Sequence, residues 1–406
     1  MNRRNLILGV VLLMVTQLAM AQRGFVHAQG KQLVDGDGKP LFLKGTNLGN
    51  WLVLEGYMFR LEKGPQSASE IAQFSRSLLG PAEAKKFWNE YRDRYITRDD
   101  IQWIKKSGYN SIRIPFHYKF FAGDNPDGFK YVDRVVGWAK EAGLYVVLDM
   151  HCAPGGQTGA NIDDSDGWPW LFESEESQRE IISIWTRIAS HYKNETTVLG
   201  YDLMNEPIPH YPEVTHLNDK LEPLLKRITT AIRGVDRSHV VVLEAAQWDT
   251  NFKVFGPPFD KNLLYEFHRY WMPPVQEKIA DVVEFRDKYN VPIWLGESGE
   301  NDDKWIDDFR TLLEKNDIGW AFWPYKKMDN TRGPVQFKRP QYWDEIVAFG
   351  ATDRSLGNIE KSLKVRPPNE HAKIAFRELL ENVQFSHCMV NDGYMKALGL
   401  KVEPVR

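Results

Sequence analysis

Short runs of β-branched, aliphatic and aromatic residues recur along the chain, each followed by a polar stretch and then by apolar positions spaced three and four apart. Eight such runs predict strands: Leu41 to Thr46, Ser111 to Phe116, Leu144 to Met150, Val198 to Met204, Val240 to Glu244, Leu263 to Phe267, Val291 to Gly296 and Gly319 to Pro324. Between them, helical spacing predicts helices over Val132 to Ala142, Glu176 to Tyr192, Asp219 to Arg233, Val275 to Lys288 and Lys304 to Lys315. A strand followed by a helix, eight times over, predicts an α/β fold built as a single (β/α)8 barrel. No Gly/Ser/Pro-rich linker and no internal repeat divides the chain. The strands recur about every 40 residues, against the ~31 of a barrel of ~250 residues. The excess is expected in extended βα loops and extra helices, chiefly between Leu48 and Asp100, with Glu360 to Leu400 forming closing helices.

In such a barrel, reactive groups project from the C-terminal strand ends. Polar residues fall there with a regularity that chance does not explain. Asn47 ends the first run, with Trp51 and Glu55 beyond it, and Arg113 sits in the second. The third ends in Asp149-Met150-His151, the fourth in Asn205-Glu206-Pro207 and the sixth in His268-Arg269-Tyr270. Glu297 follows the seventh and Trp323 lies in the eighth. Each alone has a bland reading: an arginine paired with a structural acid, a histidine satisfying a core hydrogen bond, a packed tryptophan. Together they define one site.

Glu206 and Glu297 are the informative pair, because two carboxyl groups flanking a glycosidic bond are what acid and nucleophile chemistry on sugars requires. Strands four and seven face one another across the barrel mouth, so the pair is expected to approach to the ~5–5.5 Å of a retaining mechanism, not the ~6.5–9.5 Å of an inverting one. An inward ion pair with Arg113 is the structural alternative. Asn205 is placed to bond a sugar 2-hydroxyl. Arg113 and Tyr270 are placed to donate to Glu297, and burial near apolar rings is expected to raise the pKa of Glu206. No metal or other cofactor is expected, since His151 and His268 lack the partner spacing of zinc sites.

Composition narrows the partners. Apolar residues make up 42% and charged residues 26% of 406, with a formal net charge of −3, values that exclude a disordered chain, a multi-span membrane protein and a nucleic-acid footprint. Aromatic residues are abundant, with 14 Trp, 16 Tyr and 21 Phe. Trp51, Trp168, Trp170, Trp271 and Trp323 are candidate sugar-contacting rings. Arg3 and Arg4, the uncharged run Leu6 to Met20 and the small residues Ala19 and Ala21 predict a cleaved leader over residues 1–21, with a barrel over 22–406 that is secreted, periplasmic or at the cell surface. The apolar run is shorter than the ~20 residues of a membrane span. Cys152 and Cys388 form either one disulfide or two buried small hydrophobes. The Asn194-Glu195-Thr196 sequon matters only in a eukaryotic host.

At these motifs the chain resembles glycoside hydrolase family 5, retaining β-glycosidases on (β/α)8 barrels, from about Leu41 to Lys326 and more weakly beyond. Arg113, His151, Asn205, Glu206, His268, Tyr270, Glu297 and Trp323 match the family pattern in order. The resemblance implies Glu206 as acid/base and Glu297 as nucleophile. Within the family, Lys44 to Glu55, Asn110 to Pro115 and Asp149 to Gln157 are similar to the exo-β-1,3-glucanase branch, which implies that Glu55 grips the terminal sugar. Cys152, Gly156 and Ser298-Gly299-Glu300 depart from that branch. The substrate implied is a β-1,3-glucan or short β-glucoside, cleaved by a monomer. Endo-β-1,4-glucanase, mannanase and glycolipid hydrolase activity are alternatives, as is a sugar-binding barrel without catalysis.

Overall fold

The computed structural model describes residues 24–125 and 127–405; the predicted leader, residues 1–21, lies outside them. Eight parallel strands close into a barrel in chain order: β1 (Lys44–Asn47), β2 (Ser111–His117), β3 (Tyr145–Cys152), β4 (Val198–Asp202), β5 (Val240–Leu243), β6 (Leu263–His268), β7 (Ile293–Glu297) and β8 (Gly319–Phe322). β8 pairs with β1, so no edge is left open. All eight match predicted runs, and the helices Asp127–Ala142, Glu175–Tyr192, Asn218–Val235 and Asp303–Lys315 match within a few residues. The expected helix over Val275 to Lys288 is instead a 3-10 turn, Gln276–Lys278, followed by a helix over Ala280–Tyr289.

The excess length folds as foreseen. Between β1 and β2 lie three helices, Ala68–Leu79, Pro81–Tyr95 and Arg98–Ser107. The first opens on a capping box in which Ser67 and Glu70 satisfy each other's backbone N–H groups. Helix Asn369–Asn382 packs on the first two of these, and Asp392–Ala397 packs on Asp303–Lys315. Two elements have no sequence forerunner. An N-terminal hairpin pairs His27–Gln29 with Gln32–Val34, and a three-stranded sheet joins Lys326–Met328, Val335–Phe337 and Met389–Val390.

Alternation inside the barrel creates strata. Side chains two apart share a face of a strand, so Tyr145, Val147, Asp149 and His151 follow one another up β3. Val240, Val242 and Glu244 do so up β5, and Leu264, Glu266 and His268 up β6. The lowest members join Leu43, Leu199 and Trp294 in a closed apolar cluster that Val26 and Leu33 of the N-terminal hairpin complete. Above that floor lies a charged layer, and the site sits on top of it. Gly296 makes the layer possible, because a Cβ there would fall 1.4 Å from the Glu266 carboxylate.

Trp51 is not at the mouth. It is fully buried, donates its indole N–H to the Arg92 carbonyl at 2.9 Å and packs edge-on against Tyr131. Cys152 and Cys388 are both free and buried, so no disulfide joins them.

Candidate active site

Register brings the charged layer together. Asn47 pairs with Arg113 across β1 and β2, Asp149 with Asp202 across β3 and β4, and His268 with Glu297 across β6 and β7. Arg113, completely buried, is the layer's one cation. Its guanidinium lies 3.1 Å from Asp149, 2.8 Å from Asp202, 2.8 Å from Glu244, 3.3 Å from Glu266 and 2.5 Å from Glu297. Burial opposes its charge, but the surrounding carboxylates outweigh burial and hold its pKa well above the usual arginine value. One positive charge does not neutralise five carboxylates in a dry interior. Burial pushes Asp149 up to about 7 and Asp202 up to about 6, and it pushes Glu244 and Glu266 well above the normal carboxylate range. Burial thus works against full ionisation of the layer.

Glu297 rises from this layer at the end of β7. Arg113 donates to its Oε1 and the Tyr270 hydroxyl donates to its Oε2 at 3.1 Å. Both oxygens are thus held in place by donors. His151, whose Nδ1 meets Asp149 at 2.8 Å, stands 3.9 Å away.

Glu206 has different surroundings. It follows β4 with φ of 44°, a left-handed backbone that costs a residue with a side chain roughly 1–3 kcal/mol. The Glu244 carboxylate accepts the Glu206 backbone N–H at 2.6 Å and stabilises that turn. The Glu206 side chain meets His268 Nδ1 at 2.8 Å, and His268 Nε2 meets Glu266 at 3.1 Å. Burial pushes Glu206 up to about 7 and His268 down to about 3. A neutral imidazole between two carboxyl groups can relay one proton between them. A Glu206 oxygen, a Glu297 oxygen and a His268 nitrogen all lie within 4.8 Å of one another. This set, and that of Asp149, His151 and Glu297, has the types and closeness of cation ligands. Their carboxylates are already engaged with Arg113, Tyr270 and the two histidines.

The other predicted residues lie around this pair. Arg113 donates to Asn205 Oδ1 at 3.0 Å, which leaves the Asn205 amide N–H groups for a ligand. Gln157, in the loop after β3, donates to the His151 and Asn205 carbonyls at 2.8 and 2.9 Å and ties the ends of β3 and β4 together. Trp323 lies parallel to His151 at 5.5 Å and donates to the Tyr57 hydroxyl at 2.8 Å. Gly49 leaves room for that ring, because a Cβ there would fall 2.4 Å from it.

Above these groups opens a cleft of about 580 Å³, lined by Glu206, Glu297, His151, His268, Tyr270 and Trp323 and, further out, by Glu55, Tyr57, Glu300, Trp248 and Trp271. Glu55 is buried, and one of its carboxyl oxygens has no protein partner. Burial, then the charges of Glu297 and Glu300, raise its pKa well above normal. Glu300 pairs with Lys327, whose ammonium sits 4.2 Å over the Tyr57 ring. Of the five candidate rings, Trp271 and Trp323 line the cleft; Trp51, Trp168 and Trp170 do not. Trp168 is turned to Glu173, to which its indole donates at 2.9 Å.

Sequence reasoning missed Glu244, Glu266 and Asp202, although each is an acid inside an apolar strand run and so carried a readable signal. Tyr57, Trp248, Glu300 and Lys327 lie outside the barrel strands, in turns and a short outer strand whose course periodicity does not specify.

Residues 70–329 match the model of the cellulase family, glycosyl hydrolase family 5. The chain belongs to glycosyl hydrolase family 5. Among the relatives of this family 5 hydrolase is a β-xylosidase of Phanerodontia chrysosporium, 26% identical over 84% of this chain and 81% of the relative. Another is endoglucanase C of Acetivibrio thermocellus, 27% identical over 60% of this chain and 88% of the relative. A probable glucan 1,3-β-glucosidase A of Aspergillus fumigatus is 30% identical over 50% and 49%. The fold matches a crystal structure of endogalactoceramidase with a TM-score of 0.58, at 18% identity over 75% of each chain. It also matches Thermotoga maritima Cel5A with a TM-score of 0.51, at 21% identity over 70% of this chain and 90% of that one. Among the described residues no helix is long and apolar enough to cross a membrane.

Proposed function

We propose that this family 5 hydrolase is an exported, monomeric, retaining β-glucosidase that removes terminal sugars from β-1,3-glucan or short β-glucosides, with Glu297 as nucleophile and Glu206 as acid/base. The observation that carries the reading is the pair itself: carboxyl oxygens within 4.8 Å of one another and His268, in environments that separate their roles. Glu297, held by Arg113 and Tyr270, attacks the anomeric carbon while Glu206 gives its proton to the departing oxygen. A glycosyl ester on Glu297 results. Glu206, now ionised, takes a proton from water as that water attacks the anomeric carbon, the bond from that carbon to Glu297 breaks, and both carboxyl groups return to their first state. Asn205 faces the sugar 2-hydroxyl with its free amide N–H groups. Glu55, with an unpartnered buried oxygen beside the Glu300–Lys327 pair, supports a cleft closed at the end that holds the terminal sugar.

The test is to incubate the enzyme with laminarin, lichenan, carboxymethylcellulose, mannan and xylan oligomers and to follow the size and anomeric form of the first products. Glucose of β configuration as the first product of laminarin is expected; longer fragments from the chain interior would overturn exo action, and an α anomer would overturn retention. Xylose release from the xylan oligomers alone would shift the glycone toward that of the Phanerodontia relative. Glu55→Ala is expected to lower kcat/KM on short glucosides by about 30-fold, the loss of one or two hydrogen bonds to a carboxyl group. Retained short-glucoside rates would place the terminal sugar elsewhere.

The acid role also sets a pH limit. Glu206 is protonated below about 7, so kcat/KM for an unactivated glycoside is expected to fall tenfold per pH unit above that pH. A profile that rises through pH 7 would contradict the assignment.

A further inference from the structure

The two sides of the cleft differ in chemistry. From the loops after β7, β8 and β1 come Glu300, Trp323, Glu55 and Tyr57. From those after β3, β4, β5 and β6 come Ile162, His210, Trp248, Thr250 and Trp271, none of which is an acid, lysine or arginine. Polar groups are few on the second side: the Thr250 hydroxyl donates to the Gln247 carbonyl at 2.7 Å and lies 3.2 Å from His210 Nε2, and the Trp248 indole N–H is buried without a protein partner. A second pyranose would bring several hydroxyl groups there with few free partners to meet them, and unmet polar groups are costly to bury.

Trp248 is also held at unusual cost to the backbone. Gln247, Trp248 and Asp249 are consecutive left-handed residues, with φ of 55°, 53° and 57°, and none is glycine. Such strain persists only where the surroundings over-determine it. Here Asp249 accepts the Ala245 N–H at 2.5 Å, and Gln247 is bonded to both Asn218 and Asn251, at 2.8 and 2.6 Å. The Trp248 backbone N–H donates to the Ile208 carbonyl at 3.2 Å, two residues beyond Glu206. His210 and Tyr211 brace the indole edge-on, with ring centroids 5.3 and 5.6 Å away. The ring is therefore fixed to the same loop as Glu206. On the β6 side, Trp271 is 70% exposed where it lines the cleft.

We infer that Trp248 is the platform of a leaving-group subsite, with Trp271 as a second wall, and that this subsite takes a flat apolar aglycone in preference to a second sugar. The inference rests on the proposed exo-acting glucosidase, whose terminal sugar occupies the charged side and whose leaving group therefore faces the apolar one. A rigid indole face suits an aromatic ring, which loses little freedom on stacking and needs no hydrogen bonds.

The test compares methyl, 2-phenylethyl and laminaribiose β-glucosides, none of which has an activated leaving group, in the full chain and in Trp248→Ala and Trp248→Phe. The wild type is expected to prefer the phenylethyl glucoside over laminaribiose in kcat/KM. The ratio of kcat/KM for phenylethyl over methyl glucoside should fall at least tenfold in Trp248→Ala and recover in part in Trp248→Phe, which keeps a flat ring and guards against a mere folding defect. An unchanged ratio in both variants, or a wild type that prefers laminaribiose, would overturn the inference while leaving the glucosidase reading intact. Cleavage confined to polymer interiors, with no short glucoside turned over, would overturn both.

Discussion

Replacement of Glu297 by alanine is expected to lower turnover by roughly five orders of magnitude, about 7 kcal/mol of transition-state stabilisation. The fold should survive, because Arg113 keeps four other carboxylates within reach when Glu297 is removed. The space left by the side chain sits below the anomeric carbon, and azide entering it displaces the leaving group once instead of twice. A glycosyl azide of α configuration from a β-glycoside is therefore the diagnostic product, read by proton NMR. Wild-type-like turnover in the alanine variant, with an unaltered melting profile, would remove Glu297 from the nucleophile role.

Glu206→Gln separates proton donation from attack. On methyl glucoside or laminaribiose the loss in kcat/KM should be about a thousandfold, within the range that general acid catalysis supplies. On a dinitrophenyl glucoside, whose leaving group departs unprotonated, kcat/KM should stay within about tenfold, and the limb above pH 7 should disappear. Glutamine retains an oxygen toward His268, so the local packing is little changed. Equal losses on both substrates would show that Glu206 positions the sugar and does not protonate it.

Much of this was legible in the residues because a barrel strand is buried on both faces. Val240 to Glu244 and Leu263 to Phe267 read as strands whatever surrounds them, and their ends mark the mouth. Arg113, His151, Asn205, Glu206, His268, Tyr270, Glu297 and Trp323 were found by that rule, and the structure places all eight in or beneath the cleft. Trp51 misled for a physical reason. It follows β1 closely in sequence, but the helix Pro81–Tyr95 covers it, and the covering segment is read only after folding. Trp248 was missed for the opposite reason. Its turn contains no glycine or asparagine to announce left-handed backbone, and only bonds to Asn218 and Ile208, distant in sequence, reveal it. The Glu300–Lys327 pair escaped for the same cause, since Lys327 is placed by the small outer sheet and not by barrel register.

The strata inside the barrel bear on how such a hydrolase diversifies. An apolar floor sealed by the N-terminal hairpin and a charged layer around Arg113 both lie buried beneath the cleft, and both are built from barrel strands, the residues that flank them and the terminal hairpin. The rim of the cleft, Trp248, Trp271, Glu300 and Tyr57 among it, comes from segments that contribute to neither. Selection can therefore exchange the Trp248 turn or the Glu300–Lys327 wall and obtain a new substrate range on an unchanged reaction. It cannot alter one acid of the Arg113 layer without unbalancing the rest, so novelty in this chain is expected to arise at the rim and conservatism beneath it.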